Sequence, residues 1–147
     1  MNHGEFGEAS MAFENAEDDY MKAVAVACGL REVARDIPES ATKRRREAFV
    51  SAARAFETCA AMADNDKEEC SRYVAAAHCY TEIKYHQEVL KTLKRAGMYT
   101  EAASYCFDNN MLNDAVSLIK PFQVDQETTE RIKQVARISY LASKQLE

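Results

Sequence analysis

A chain of 147 residues, 47% apolar and 29% charged, can hold one core or a short run of repeats and is too apolar to be disordered. Its 4 Gly and 2 Pro argue against the many tight turns of an all-β sandwich or barrel, and 24 Ala favour helix. A formal net charge of −5 excludes broad electrostatic attraction to nucleic acid or an anionic membrane, and no apolar run reaches the ~18 residues that span a bilayer.

Taken in chain order, residues 9–16 and 20–35 read as a shorter and a longer helix. The Asp18-Asp19 pair between them suits a helix amino terminus, where carboxylates meet the positive end of the dipole. Gly29 interrupts the second at a cost of about 1 kcal/mol relative to Ala. From Ser40 to Ala63 the period of 3.6 is clearest, with Phe49, Ala52, Ala53, Phe56, Cys59, Ala60 and Ala63 on one stripe. Ser40 after Pro38 offers an N-cap, and Asp64-Asn65-Asp66 stops the helix. Asp66 with Glu69 forms a candidate capping box for the next helix, which carries Cys70, Tyr73, Val74, Ala77 and Tyr80 on one face.

Between Ile83 and Ile119 the predicted helices shorten and a small pattern recurs: a small residue, a bulky one four later, a small one three after that. It is seen in Ala9-Phe13-Ala16, Ala52-Phe56-Cys59 and Ala76-Tyr80-Ile83, and in weaker form in Val89-Leu93-Ala96 and Ala103-Phe107-Asn110. The bulky members at 80, 93 and 107 are 13 and 14 residues apart, one short helix plus a turn each time. After Pro121, Asp125 can cap a last helix with Ile132, Val135, Ala136, Ser139, Ala142 and Leu146 at helical spacing. The expected fold is all-α: one helical-repeat domain over 1–147, with a long hairpin at 39–82, short hairpins at 83–120 and a C-terminal helix at 124–147. Antiparallel hairpins too small to bury their own faces stack as an α-solenoid. A compact helical bundle is the alternative.

The segment Arg95–Val116, with Gly97, Tyr99, Ala102, Ala103, Tyr105, Cys106 and Phe107, resembles the degenerate tetratricopeptide-like (TPR-like) hairpins of large eukaryotic scaffold proteins. Further towards the amino terminus, Leu30-Arg31-Glu32, Ala34-Arg35, Arg45-Arg46, Ala48-Phe49, Ala52-Ala53, Ala55-Phe56 and Cys59-Ala60 follow one another in a characteristic order. That run resembles the helical region of fungal TPR-and-ankyrin-repeat-type proteins, giant chains that also carry a superfamily-1 helicase-like ATPase. The 34-residue TPR consensus with its early Trp is not matched in register, and no GxxxxGK[ST] phosphate loop or acidic metal-binding motif is present. The resemblance implies a non-enzymatic segment of a larger protein that binds a protein partner. It also implies the alternative, an accessory region of a helicase-like ATPase that contacts nucleic acid.

No catalytic constellation accompanies the helices. His3, His78 and His86 lack an HExxH or CxxC context. Cys70, His78 and His86 sit eight residues apart, roughly 12 Å along a helix each time, too far to share one metal. The five cysteines, Cys28, Cys59, Cys70, Cys79 and Cys106, read as packing residues of a reduced, cytoplasmic or nuclear chain. No cofactor or metal is expected. Lys43, Arg44, Arg45 and Arg46 form a candidate basic patch, although four residues in one turn spread round the cylinder and Glu39 and Glu47 flank them. Tyr85, His86, Lys91, Lys94, Arg95 and Tyr99, near the ends of short helices, are the candidate partner-binding residues. A protein partner and self-association are expected, a membrane is not, and the acidic balance disfavours nucleic acid.

Overall fold

A computed structural model describes residues 3–145, with side chains described over 15–145, and every regular element among them is helical. The helices are α1 (His3–Asp36), α2 (Thr42–Met62), α3 (Asp66–Glu82), α4 (His86–Arg95), α5 (Tyr99–Asp108), α6 (Leu112–Ile119) and α7 (Gln126–Gln145). The chain divides into two compact units, Met1–Thr92 and Leu93–Glu147.

In the first unit α2 packs against both α1 and α3. Six of the seven stripe residues read from the sequence, Phe49, Ala52, Ala53, Phe56, Cys59 and Ala60, are buried, while Ala63 is the half-buried C-cap. Alanines let the flanking helices approach closely, with Ala27 and Ala34 of α1 and Ala76 and Ala77 of α3 each at most 1% exposed. Ala16, read as the last member of the first small–bulky–small pattern, is exposed, while Ala9 and Phe13 lie outside the described side chains.

Three local expectations are corrected. The break at Asp18-Asp19 does not exist, because α1 runs through it. Those carboxylates are exposed and hydrated, and Lys22 pairs with Asp18 one turn away at 3.2 Å, so the interior of a helix tolerates them. Ser40 is not the cap of α2: the N-cap position falls on Ala41, which has no side chain to give. The capping box expected at Asp66 and Glu69 does not form: Asn65 is the cap, its Oδ1 accepting from the Glu68 N–H at 2.9 Å. The Glu68 carboxylate does not reach back to Asn65, because Tyr20 and Arg72 hold it.

From α3 onward the chain repeats one turn. At Ile83–Tyr85, residues 96–98 and residues 109–111 the second residue has positive φ: Lys84 at 58°, Gly97 at 74° and Asn110 at 60°. Each N–H of that residue donates three back, to Thr81, Lys94 and Phe107. The next N–H donates five back, Tyr85 to Tyr80, Met98 to Leu93 and Met111 to Cys106. These are Schellman motifs, in which a left-handed residue closes a helix by satisfying its last carbonyls. The carbonyls of Tyr85, Met98 and Met111 then open the next helix by accepting from Val89, Ala102 and Ala115. Helices α4, α5 and α6 therefore start 13 residues apart. The third member of the bulky series is Cys106, fully buried, and not Phe107, which is half-buried.

In the second unit α5, α6 and α7 pack on one another around Ala102, Ala103, Cys106, Ala115, Leu118 and Ile132. Asp125 caps α7 as expected, its Oδ1 accepting from the Thr128 N–H at 2.8 Å. The predicted stripe on α7 holds only in its first half. Ile132 is fully buried and Ala136 half-buried, whereas Val135 and every residue from Arg137 to Gln145 are exposed; Leu146 lies outside the described residues. Helices α5 and α6 have 10 and 8 residues against 20 in α7, so at 1.5 Å per residue they cover about half its length.

Candidate functional site

The basic run sits at the first turn of α2, where the sequence breaks the usual rules of helix design. The cap is an Ala, the first turn has no acidic residue, and Lys43, Arg44 and Arg45 stand at the positive end of the dipole. Each such cation costs about 0.3–1 kcal/mol in an exposed helix. Arg45 is compensated. Its guanidinium donates to the Glu82 carbonyl and carboxylate, both at 3.1 Å, and lies over the Phe49 ring at 4.8 Å, tying the start of α2 to the end of α3. Lys43, Arg44 and Arg46 are exposed and enter no ion pair among the described residues.

Beside Arg45 opens a cleft of about 180 Å³ lined by Glu39, Thr42, Arg45, Arg46, Glu82, Ile83 and Lys84. Lys84 is not among the candidate site residues read from the sequence. Its φ of 58° places a lysine where glycine is the ordinary choice, at roughly 1 kcal/mol of backbone cost.

The six candidate partner residues are divided between the units. In the first, Tyr85 is 36% exposed with its ring stacked on Tyr80 at 6.4 Å, His86 is half-buried, and Lys91 is exposed. In the second, Lys94 and Arg95 are exposed, while Tyr99 is half-buried and stacks on Phe122 at 4.2 Å and 8°. Tyr99 thus has a packing partner of its own. A smaller cleft of about 90 Å³, lined by Ser104, Phe107, Asp108, Thr128 and Arg131, lies against the Arg131–Phe107 contact in this unit.

One polar cluster went unseen in the sequence because its members are 48 and 52 residues apart. The Tyr20 hydroxyl donates to Glu68 at 2.7 Å, and Arg72 donates to Tyr20 and to Glu68, both at 3.1 Å. Hydrogen bonds from Tyr20 and Arg72 hold the Glu68 carboxyl below its usual range, and burial raises the Tyr20 hydroxyl. The three side chains satisfy one another and bridge α1 to α3, which is a structural role.

Cys59, Cys79 and Cys106 are buried, and Cys28 and Cys70 half-buried. Burial pushes the Cys79 and Cys106 thiols up to about 11, so neither presents a thiolate nucleophile near neutral pH. Among the described residues no group of three or more His, Cys, Asp and Glu could hold a metal, and no helix is long and apolar enough to cross a membrane.

The raised thiols have a consequence for stability. The unfolded chain releases these protons near pH 9 but the folded chain only near 11, so the fold binds protons more tightly across that window. Stability is therefore full below pH 9 and falls as pH rises towards 11; burial also moves Tyr80 to about 12 and extends the loss. Urea midpoints measured across alkaline pH should decline, and Cys106→Ala should lessen the decline of the second unit. A flat profile would show that these thiols are hydrated.

No family model matches the chain, and comparison with curated proteins and with solved structures returned no match.

Proposed function

We propose that this chain is a non-enzymatic helical-repeat scaffold, a short TPR-like α-solenoid segment of a larger protein, that binds a protein partner in the cytoplasm or nucleus. The observation that carries the reading is the 13-residue unit of helix and Schellman turn, closed in turn by Lys84, Gly97 and Asn110. A unit of that size cannot bury its own face, so its recurrence fits a stacked array whose surface serves binding. The family likeness to TPR-and-ankyrin-repeat-type proteins belongs to the same proposal. Exposed Val135, Ile138 and Leu141 on α7 support self-association, which light scattering over a wide concentration range should reveal.

A direct test compares proteins retained by the wild-type chain and by Tyr85→Ala/Lys91→Glu, two exposed positions. The expected result is a defined set of partners lost on substitution while helix content is unchanged. An identical retained set, or none above background, would count against this surface. A second reading, an accessory region that touches nucleic acid, is favoured by the exposure of Lys43, Arg44 and Arg46.

A further inference from the structure

Two exposed cations that line the cleft, Arg46 and Lys84, and two exposed cations beside Arg46 in the chain, Lys43 and Arg44, are left without a carboxylate partner. Lys43, Arg44 and Arg46 come from the first turn of α2, and Lys84 comes from the turn after α3. None forms an ion pair among the described residues, whereas Arg45 beside them is locked to Glu82. Three of the four occupy positions that oppose folding. Lys43 and Arg44 face the positive end of a helix that lacks a capping side chain, and Lys84 occupies a left-handed backbone position. Exposed cations set against the helix dipole with no carboxylate partner inside the fold point to a use outside it.

We propose that the cleft between the start of α2 and the end of α3 docks an acidic segment of a protein partner, whose Asp and Glu carboxylates pair with Arg46 and Lys84. The proposal rests on the scaffold reading and names the partner's chemistry. Glu39 and Glu82 also line the cleft, and Glu47 follows Arg46. Discrete carboxylates interleave with such a pattern, while the continuous phosphates of nucleic acid meet repulsion at each glutamate. None of the residues lining the cleft is aromatic, so no base-stacking platform is offered. Arg45, at 17% side-chain exposure and paired with Glu82, ties the two helix ends that line the cleft together before a partner arrives.

The test measures binding of a short fluorescent Asp/Glu peptide to the full chain at low and at raised salt, beside a single-stranded oligonucleotide of matched charge. The peptide should bind the wild type, weaken as salt rises, and lose roughly tenfold or more in affinity with Arg46→Glu/Lys84→Glu. Because both positions are exposed and unpaired, thermal melts of this variant should match or exceed the wild type. Lys84→Gly should raise the melting temperature and weaken the peptide together, a pairing that a merely solvated lysine would not show. Absence of peptide binding to the wild type, equal binding by the variants, or tighter binding of the oligonucleotide would overturn the proposal. Loss of the cleft with Tyr85-dependent capture intact would remove this assignment alone, and the reverse result would remove the Tyr85 surface and leave the cleft.

Discussion

Phe56→Ala should lower the stability of the first unit by about 3–5 kcal/mol, the usual cost of deleting a fully buried ring. Phe56 is 0% exposed at the centre of α2, the helix that packs against both of its neighbours. The surrounding core is rich in alanine, and alanine has no rotamer with which to fill a hole. A second loss adds to the first. The Arg31 guanidinium lies over the Phe56 ring at 5.0 Å, and its Nε is buried with no hydrogen-bond partner among the described residues. Without the aromatic face that nitrogen has no compensation for leaving water. At roughly 4–8 °C per kcal/mol for a unit of this size, the melting temperature should fall by more than about 12 °C. Val33→Ala, at a position 59% exposed, should stay within about 0.5 kcal/mol. A Phe56→Ala loss near that of the control would sink the packing account.

The centre of the first unit was legible because its information is local. Phe49, Phe56 and Cys59 lie at helical spacing on one helix, and the turn residues after Met62 mark its end whichever of them caps the next. The misreadings have physical causes. Two adjacent aspartates favour a helix start but do not force one, and on an exposed face of α1 their charges stay in water while Lys22 pairs with Asp18. The repeat was seen by its bulky residues, which placed its third member at Phe107. Backbone hydrogen bonding sets the true register at Cys106, where a smaller side chain fills the equivalent place.

The candidate site was legible in composition and not in geometry. Four consecutive basic residues are plain in the chain, but the inward turn of Arg45 depends on Glu82, 37 residues away. The sequence permits a chain reversal at Lys84-Tyr85, but nothing local marks the lysine as left-handed. Likewise the Tyr99 ring looks free until Phe122, from the loop before α7, is laid against it. Partners distant in sequence decide which charged and aromatic groups are structural and which remain available.

Helix α7 carries the other large effect, and it separates two isoleucines six residues apart that lie on different faces of the helix. Ile132→Ala should lower the stability of the second unit by about 2–4 kcal/mol, because the side chain is 0% exposed in a small core rich in alanine. Few other large side chains share that core, so little is left to close over the cavity. Ile138→Ala should change stability by less than about 0.5 kcal/mol, since that side chain is 61% exposed beyond the reach of α5 and α6. Chemical denaturation of both variants at low protein concentration checks the pair. At high concentration Ile138→Ala should also reduce self-association, because Val135, Ile138 and Leu141 follow one another at three-residue spacing on the exposed half of α7. An Ile138→Ala cost as large as that of Ile132→Ala would mean the distal half of α7 is packed within the chain, and the exposed apolar row would lose its role in association.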